Sequence, residues 1–125
     1  MNNSKFLVFI SSPFGDDSIV RHINTERAKR YCAMVFRDGG IPIAPHLYFP
    51  TFLNEQFMLE AKNYREDGIL SGIELLAMCD MMYAFGEPTE GMLREIEFAE
   101  AHDIPIQRFT VEGKDVINYE ESEVK

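Results

Sequence analysis

The chain has 125 residues, 46% of them hydrophobic, which suits a single globular domain with one core. Its formal net charge of −9 argues against a nucleic-acid polymer as partner, because phosphate backbones attract stripes of Lys and Arg. A single nucleotide held by backbone amides is compatible with this charge. We find no secretory leader pattern and no apolar run near the roughly 20 residues of a membrane span, so we expect a cytoplasmic protein that does not bind membranes.

Apolar runs and turn signals in the first half predict alternating strands and helices. Residues 6–10 (FLVFI) are apolar throughout, which is typical of a central parallel strand buried on both faces. A helical spacing of apolar residues follows over residues 19–37 and ends at two glycines. Residues 41–44 predict a short second strand. The aromatic, proline-containing residues 45–54 then predict a loop that covers part of the domain.

The second half continues this alternation. Weaker helical patterns occupy residues 55–63 and 67–78, and residues 80–85 predict a third strand. A helix over residues 92–102 precedes a fourth strand that opens at residues 104–106. This order predicts an α/β fold, a small doubly wound, flavodoxin-like parallel sheet with strand order near 2-1-3-4 and helices on both faces. The acidic segment after residue 111 adds a short fifth strand or is loosely ordered.

Polar residues follow the first strand, at the edge where open α/β sheets bind ligands. Ser11, Ser12, Pro13, Phe14 and Gly15 can turn hydroxyl and backbone N–H groups toward a phosphate or a sugar. An ordinary strand-to-helix turn explains the same residues. Phe14 stacks on a ligand ring under the first hypothesis and fills the core under the second.

A second candidate cradle follows the third strand. Thr89 is a good N-cap, and the free N–H groups around Glu90 and Gly91 can bind an anion at the start of the helix. Glu95 lies one turn further along, where a carboxylate can serve as nucleophile or general base. Glu97 cannot share the helix face of Glu95, so one of the two is expected in solvent. A plain surface carboxylate is the alternative for Glu95.

Two further residues are candidates for ligand binding at the carboxyl edge of the predicted sheet, whereas the two cysteines are not. His46 follows the second strand. Three hypotheses are open for it: it contacts a phosphate or a base, it titrates near neutral pH, or it has only a structural role. Arg65 faces an anion or solvent. Cys32 and Cys79 fall in apolar helical patterns and are expected to be buried free thiols. No Cys/His cluster has metal-ligand spacing, and we expect neither a metal nor a cofactor.

Several short motifs in order resemble the nucleoside 2-deoxyribosyltransferase-like superfamily, and more narrowly its small bacterial and phage branch of DUF4406-type proteins. The motifs are ISSPF at 10–14, Asn24 with Ala28, GIPIAPH at 40–46, Cys79-Asp80, EGM at 90–92 and EIEFA at 95–99. The resemblance covers residues 6–106. It implies one superfamily-like α/β domain over residues 1–110, followed by an acidic tail at 111–125 that belongs to the domain or is loosely ordered.

The resemblance implies an enzyme that cleaves or exchanges the N-glycosidic bond of nucleosides or their 5′-monophosphates. Glu95 matches the family nucleophile, which attacks C1′ and forms a glycosyl-enzyme intermediate. Thr89 and Gly91 match residues that hold a phosphate, and Ser12 matches a Ser of the first strand. The chemistry is consistent, because a carboxylate beneath C1′ stabilises and traps an oxocarbenium-like transition state. The implied partner is a small nucleoside or nucleotide, bound by a homo-oligomer of two or more chains.

The sequence departs from the family pattern at two positions. Gly72 stands where the family has an Asp that donates a proton or anchors the base, and Glu97 stands where the family has Gly. Asp67, His46 or Glu90 could take the place of the missing Asp.

Two main functions therefore remain open. One is an N-glycosidase or deoxyribosyltransferase that uses Glu95. The other is a non-catalytic sensor or sponge that kept the cradle, lost the acid, and binds a nucleotide or an ADP-ribose-type signal. A scaffold protein that assembles through the aromatic segment is a third hypothesis, but it does not require the cradles at the strand ends.

Overall fold

The computed structural model of the chain describes residues 5–15, 17–58, 63–112 and 115–121. The strands and helices are listed here in chain order: β1 (Leu7–Ser11), α1 (Ser18–Arg37), β2 (Ile41–Ile43), α2 (Pro45–Tyr48), α3 (Tyr64–Leu76), β3 (Met81–Phe85), α4 (Glu90–Ala101), β4 (Ile106–Glu112) and β5 (Asp115–Glu121). A short 3-10 turn at Phe49–Thr51 follows α2. None of the helices in these ranges combines the length and apolar character that crossing a membrane requires.

The described strands form one sheet in the order β2-β1-β3-β4-β5. Strands β2, β1, β3 and β4 are parallel, with Phe9 opposite Ile43, Ile10 opposite Tyr83, and Tyr83 opposite Gln107. Strand β5 runs antiparallel to β4. The predicted α/β sheet with order 2-1-3-4 is confirmed, and the segment after residue 111 contributes the fifth strand.

Alternate residues of the central strands pack against helices on opposite faces of the sheet, as the pleat requires. One face packs against α1, and the other packs against α3 and α4. The face toward α1 consists of Val8, Ile10, Phe85 and Phe109 with Tyr31 and Val35 of the helix. The opposite face consists of Phe9, Met82, Ala84 and Ile106 with Leu76, Met92, Ile96 and Ala99 of α3 and α4. Helices therefore cover both faces, as predicted.

Helices α1, α3 and α4 each begin at a side chain that accepts a hydrogen bond from the first turn, which satisfies one of the otherwise unpaired N–H groups there. The capping pairs are Asp17 with the N–H of Val20 at 2.9 Å, Asn63 with Glu66 at 3.0 Å and Thr89 with Met92 at 3.3 Å. These caps fix where each helix starts relative to the strand ends.

The segment after β2 differs from the prediction. Residues 45–54 do not form a plain loop, because α2 and the 3-10 turn occupy most of them, with Pro45 in the first helical turn where its missing N–H costs nothing. Residues 55–57 form a turn, so the start of the helix predicted over 55–63 is wrong, and residues 59–62 lie outside the described ranges. The next helix begins at Tyr64 rather than residue 67, because Asn63 caps it.

The two cysteines are free thiols, as predicted. Cys79 is buried and Cys32 is half-buried. Burial raises the pKa of both thiols, and the nearby Asp80 carboxylate helps to raise that of Cys79 to about 11. Both are therefore protonated and unreactive at neutral pH.

Candidate functional site

A cavity of about 500 Å³ lies at the carboxyl ends of β1, β2 and β3. Its walls come from the loop after β1, from α2 and the 3-10 turn, and from the first turns of α1, α3 and α4. This volume falls within the range of sites that bind small molecules, roughly 300–1,000 Å³. Within the described ranges, no group of three or more His, Cys, Asp or Glu side chains is placed to hold a metal ion.

Glu95 reaches this cavity from the second turn of α4. Ile96 and Ala99 are buried against the sheet, which leaves Glu95 partly buried at the edge of the helix nearest the strand ends. Ser11, the last residue of β1, shares the α4-facing side of the strand with Phe9 because strand side chains alternate. Its hydroxyl donates a hydrogen bond to Oε1 of Glu95 at 2.6 Å. The strand thus fixes the orientation of the carboxyl group.

The environment of Glu95 changes its acidity. Burial raises its pKa to about 7, although the hydrogen bond from Ser11 acts in the opposite direction. Near neutral pH the group is therefore divided between an ionised form, which is a nucleophile or base, and a neutral form, which is a proton donor. A carboxyl group with a raised pKa in a cavity is a frequent property of functional sites.

Ser12 and His46 form a second polar pair in the cavity lining. Oγ of Ser12 lies 2.8 Å from Nε2 of His46, in α2. Burial lowers the pKa of His46 to about 4, so the imidazole is neutral at pH 7. The ring of Phe14 lies edge-on to this imidazole, with centroids 6.4 Å apart. These side chains give the cavity an uncharged, partly aromatic wall.

The loop after β1 is held in place by side chains and by its glycine. Asn24, buried in α1, donates a hydrogen bond from Nδ2 to the carbonyl of Phe14 at 3.0 Å. Gly15 has a φ of +100°, and a Cβ at this position would lie 2.5 Å from Cγ1 of Val20. Only glycine fits this turn, so the backbone that borders the cavity is specified by sequence.

Two arginines also hold this loop. Nε of Arg21 donates to the carbonyl oxygen of Gly15 at 3.0 Å, and Nη1 of Arg65 donates to the same oxygen at 3.4 Å. The guanidinium carbon of Arg21 lies 5.1 Å from the centroid of the Phe14 ring, which is within the range of a cation–π contact. Both arginines line the cavity.

The N-terminus of α4 borders the cavity through Thr89 and Gly91. The N–H of Met92 is bound by the Thr89 side chain, and that of Leu93 by the Thr89 carbonyl oxygen at 2.9 Å. The N–H groups of Glu90 and Gly91 lie in the first turn, where the helix itself provides no acceptor for them. This end of the helix therefore offers donors and a positive dipole to an anion.

The structure brings most of the predicted site residues together. The predicted residues that line the cavity are Ser12, Phe14, His46, Arg65, Thr89, Gly91 and Glu95. Ser11 contacts the cavity through Glu95, whereas Pro13 and Glu90 are next to lining residues in the chain without belonging to the described lining. Of the three residues suggested as substitutes for the missing acid, His46 is the one in the lining. Glu97 is exposed on α4.

Sequence reasoning missed five polar lining residues: Arg21, Asn54, Glu55, Asn63 and Tyr64. Arg21 lies one turn after the N-cap of α1, a helix that follows a strand. The same argument pointed to Glu95 in α4 and would have identified Arg21. Glu55 and Tyr64 come from the segment whose secondary structure was predicted incorrectly, so no comparable signal pointed to them.

Gly72 lies where the resemblance placed a family Asp. A Cβ at this position would lie 3.3 Å from Cβ and 3.4 Å from Cγ of Pro45. These distances are tight, so a larger side chain would require Pro45 to move. Close packing of α3 against α2 therefore leaves little room for a larger side chain at Gly72.

The sequence profile of a family described as a domain of unknown function, DUF7768, matches residues 6–109. The chain belongs to the DUF7768 family. This match does not confirm the narrower resemblance to DUF4406-type proteins. No curated protein matches the chain at a significant level.

Among solved structures, this DUF7768 chain is similar to a 2-deoxyribosyltransferase from the psychrotolerant bacterium Bacillus psychrosaccharolyticus. The two are 19% identical, and the match covers 90% of this chain and 77% of that chain with a TM-score of 0.52. At this identity the similarity shows a shared fold, in agreement with the observed strand order.

Proposed function

We propose that this protein is an N-glycosidase or 2-deoxyribosyltransferase that acts on nucleosides or nucleotides with Glu95 as its nucleophile. The observation that supports this most directly is the Ser11–Glu95 pair. An oriented carboxyl group, bonded at 2.6 Å and with its pKa raised to about 7, lies at the strand ends in a cavity sized for a small ligand. The fold shared with a 2-deoxyribosyltransferase adds support at the level of architecture.

In the proposed reaction, a carboxylate oxygen of Glu95 bonds to C1′ while the C1′–N bond breaks. The electron pair of that bond goes to the base nitrogen, and the departing base takes up a proton. Water then attacks C1′ of the glycosyl ester and gives up a proton, which releases the free sugar, or a second base attacks C1′ and forms a new nucleoside; in both cases the C1′–O bond to Glu95 breaks and the carboxylate is restored. Ser11 keeps the carboxyl group oriented through both steps.

The other lining residues have binding roles in this proposal. Phe14 and the neutral His46 supply an aromatic wall for the base. Thr89 and Gly91, at the N-terminus of α4, offer hydrogen-bond donors to the sugar or to an anionic substituent. We propose that Glu55 or Tyr64, which both belong to the described lining, supplies the proton for the base.

We propose a cytoplasmic homo-oligomer without a cofactor, related to the small bacterial and phage DUF4406-type proteins. The activity would reside in residues 1–110, with residues 111–125 attached to the same domain.

The packing at Gly72 favours a second candidate function. Pro45 leaves little room for a side chain at Gly72, which is the position of the family acid. A protein that binds a nucleotide or an ADP-ribose-type signal without cleaving it needs the cradle but not the acid. This alternative predicts tight binding, no turnover and little dependence of affinity on Glu95.

The two functions are distinguished by incubating the purified protein with nucleosides, their 5′-monophosphates, NAD and cyclic ADP-ribose. Chromatography detects free base, and thermal shifts on the same ligands detect binding. The Glu95→Gln variant preserves shape but removes the nucleophile, so base release should fall by about 10³-fold or more. The matched control is Glu97→Gln, an exposed position on the same helix, which should behave like the wild type.

Two results would contradict the proposed enzymatic function. Base release that persists in Glu95→Gln would contradict the nucleophile. A large thermal shift with the ligand recovered intact, the same in wild type and Glu95→Gln, would replace the enzyme with the binding protein.

A further inference from the structure

The pair formed by Ser12 and His46 leaves one ring nitrogen of the histidine for a ligand. Nε2 lies 2.8 Å from Oγ of Ser12, and within the described residues Nδ1 has no hydrogen-bond partner. The only buried side-chain oxygen or nitrogen without a partner in those residues is Oε1 of Gln107. Nδ1 is therefore not sealed inside the protein. Because His46 lines the cavity, this nitrogen is open to a ligand there.

The hydroxyl group of Ser12 does not fix the position of the proton on the His46 ring. At pH 7 this ring is neutral and carries one proton, because burial lowers its pKa to about 4. If Oγ donates to Nε2, the proton is on Nδ1, which is then a hydrogen-bond donor. If Nε2 donates to Oγ, Nδ1 is an acceptor. A hydroxyl group can take either role, so Ser12 is compatible with both tautomers.

His102 provides an internal contrast. Its Nδ1 lies 2.9 Å from the carbonyl oxygen of Phe98. A carbonyl oxygen only accepts, so the proton of the neutral ring is held on Nδ1. The described structure thus contains one histidine with a fixed tautomer, exposed at the end of α4, and one with an adjustable tautomer in the cavity.

Two consecutive serines relate this adjustable ring to the proposed nucleophile. Ser11 contacts Glu95 at 2.6 Å, and Ser12 contacts His46 at 2.8 Å. Consecutive Cα atoms are about 3.8 Å apart, so the same strand end positions both side chains. The base of a nucleoside is bonded to C1′. A ligand with C1′ at Glu95 therefore has its base in the same cavity, where Nδ1 of His46 can contact the edge of that base.

We propose that His46 recognises the base through Nδ1, and that Ser12 lets this nitrogen donate to an oxo group or accept from an amino group. The site therefore takes bases of both kinds. This inference rests on the proposed function and deepens it, because it names the base specificity. His46 contacts the ligand in this role, whereas Ser12 is a positioning residue that acts through His46.

The expected specificity differs from that of a histidine with a fixed tautomer. A fixed donor that meets an amino group, or a fixed acceptor that meets an oxo group, leaves a desolvated polar group unpaired. That loss lowers affinity by about 5- to 150-fold. An adjustable ring should instead keep the affinities for matched amino and oxo ligands within about fivefold of each other.

The test follows the tautomer of His46 directly. Two-bond ¹H–¹⁵N correlation spectra distinguish a protonated from an unprotonated ring nitrogen, and they are recorded at about pH 8, well above the ordinary imidazole pKa. The protein is labelled Glu95→Gln, which keeps the ligand intact. The ligands are 2′-deoxyadenosine against 2′-deoxyinosine, 2′-deoxycytidine against 2′-deoxyuridine, and their 5′-monophosphates. The spectrum of His46→Phe assigns the His46 signals by their absence.

We expect His46 to be protonated at Nε2 with the amino ligands and at Nδ1 with the oxo ligands, while His102 keeps its proton on Nδ1 with both. Calorimetry on the same ligands should show that His46→Phe, which keeps a ring in the wall, weakens both members of a pair about 3- to 10-fold, as the loss of one hydrogen bond predicts. His102→Phe is the matched control, exposed and outside the described lining, and should change neither affinity.

The role of Ser12 is tested by removing and restoring its hydroxyl group. Ser12→Ala leaves Nε2 without its partner and should weaken both members of each pair. Ser12→Thr restores a hydroxyl group, so it should recover the wild-type affinities and the dependence of the tautomer on the ligand. Thermal melts verify that every variant is folded.

Three results would overturn the inference: the same His46 tautomer with amino and oxo ligands, a His46 spectrum that no ligand changes, or a preference above about fivefold in the same direction in both pairs. Failure of the proposed activity is distinguishable from these. A tautomer that follows the ligand, without base release by the wild type, supports base recognition and contradicts the activity. Base release that requires Glu95, with one tautomer throughout, supports the activity and overturns the inference.

Discussion

The two faces of the sheet are made by alternate residues of the same strands, but one is a closed core and the other opens into a site. On the face toward α1, the rings of Tyr31 and Phe85 stack with centroids 3.9 Å apart, and Phe85 and Phe109 stack at 4.6 Å. On the face toward α4, the apolar residues end at Ser11, whose hydroxyl contacts Glu95.

The difference arises within one step of β1. Ile10 points toward α1 and is fully buried, whereas Ser11 points toward α4 and meets a carboxyl group. Both are among the least exposed residues of the chain, so burial alone does not distinguish them. Stability should therefore depend strongly on the ring packing, and Glu95 at the end of the other face should add a dependence of stability on pH.

The largest expected effect on stability comes from the ring face. Phe85 is fully buried between two stacked rings, so Phe85→Ala should lower the free energy of unfolding by about 3–5 kcal/mol. The control is Leu93→Ala, because Leu93 is 50% exposed and should change stability by less than about 0.5 kcal/mol. Urea denaturation measures both variants. A loss below about 1 kcal/mol for Phe85→Ala would contradict the closed-core description.

The next effect is a pH dependence from the other face. The folded pKa of Glu95 is about 7 against an ordinary value of 4.5, so the unfolded chain loses this proton first. The contribution of Glu95 to the free energy of unfolding of the wild type is fully present below pH 4.5 and is lost as the pH rises toward and through 7. Glu95→Gln removes this dependence, so its stability relative to wild type should increase by about 2–3 kcal/mol between pH 4.5 and 8.

His46 contributes with the opposite sign, because its folded pKa of about 4 lies below the ordinary 6.5. Its contribution is complete above pH 6.5 and is lost as pH falls toward 4. Since His46 is present in wild type and Glu95→Gln alike, the difference between the two denaturation series isolates Glu95. A difference that does not change with pH would show that Glu95 has an ordinary pKa.

The smallest effect concerns Ser11 itself. The hydrogen bond from Ser11 lowers the pKa of Glu95, so Ser11→Ala should raise that pKa further. The acidic limb of the kcat/KM profile should move to higher pH, with a larger loss of rate at pH 6 than at pH 9. Ser12→Ala is the control, because Ser12 contacts His46 instead. An equal shift of the acidic limb in Ser11→Ala and Ser12→Ala would contradict a specific role of Ser11.

Much of the fold follows from the sequence because its strands are short apolar runs and its helices begin at recognisable caps. Residues 6–10 and 80–85 predicted the two central strands, and Thr89 marked the start of α4. The segment 45–58 was predicted incorrectly because its aromatic and proline residues have no helical or strand period. Its α2 and 3-10 turn are stabilised by tertiary contacts, including the packing of Pro45 against Gly72.

The site was predictable only in outline. The rule that ligands bind at strand ends located Ser11, Ser12, His46 and Glu95, but it did not say which serine contacts which partner. The partner of each serine depends on which face of the sheet its side chain points to, and a shift of β1 by one residue would exchange the two faces. Arg21 and Arg65 both donate a hydrogen bond to the carbonyl oxygen of Gly15. Arg65 is 50 residues away from Gly15 in the chain, and no local sequence pattern predicts a contact over that separation.

In the proposed reaction Glu95 forms a covalent bond to C1′, and trapping that glycosyl-enzyme intermediate is the decisive experiment. The wild-type protein would be quenched with acid during turnover of whichever nucleoside or nucleotide releases base fastest. Mass spectrometry of the proteolytic peptides would follow. We expect a peptide containing Glu95 that is heavier by the glycosyl group and is absent from Glu95→Gln. An adduct on a different residue, or unimpaired base release by Glu95→Gln, would contradict it.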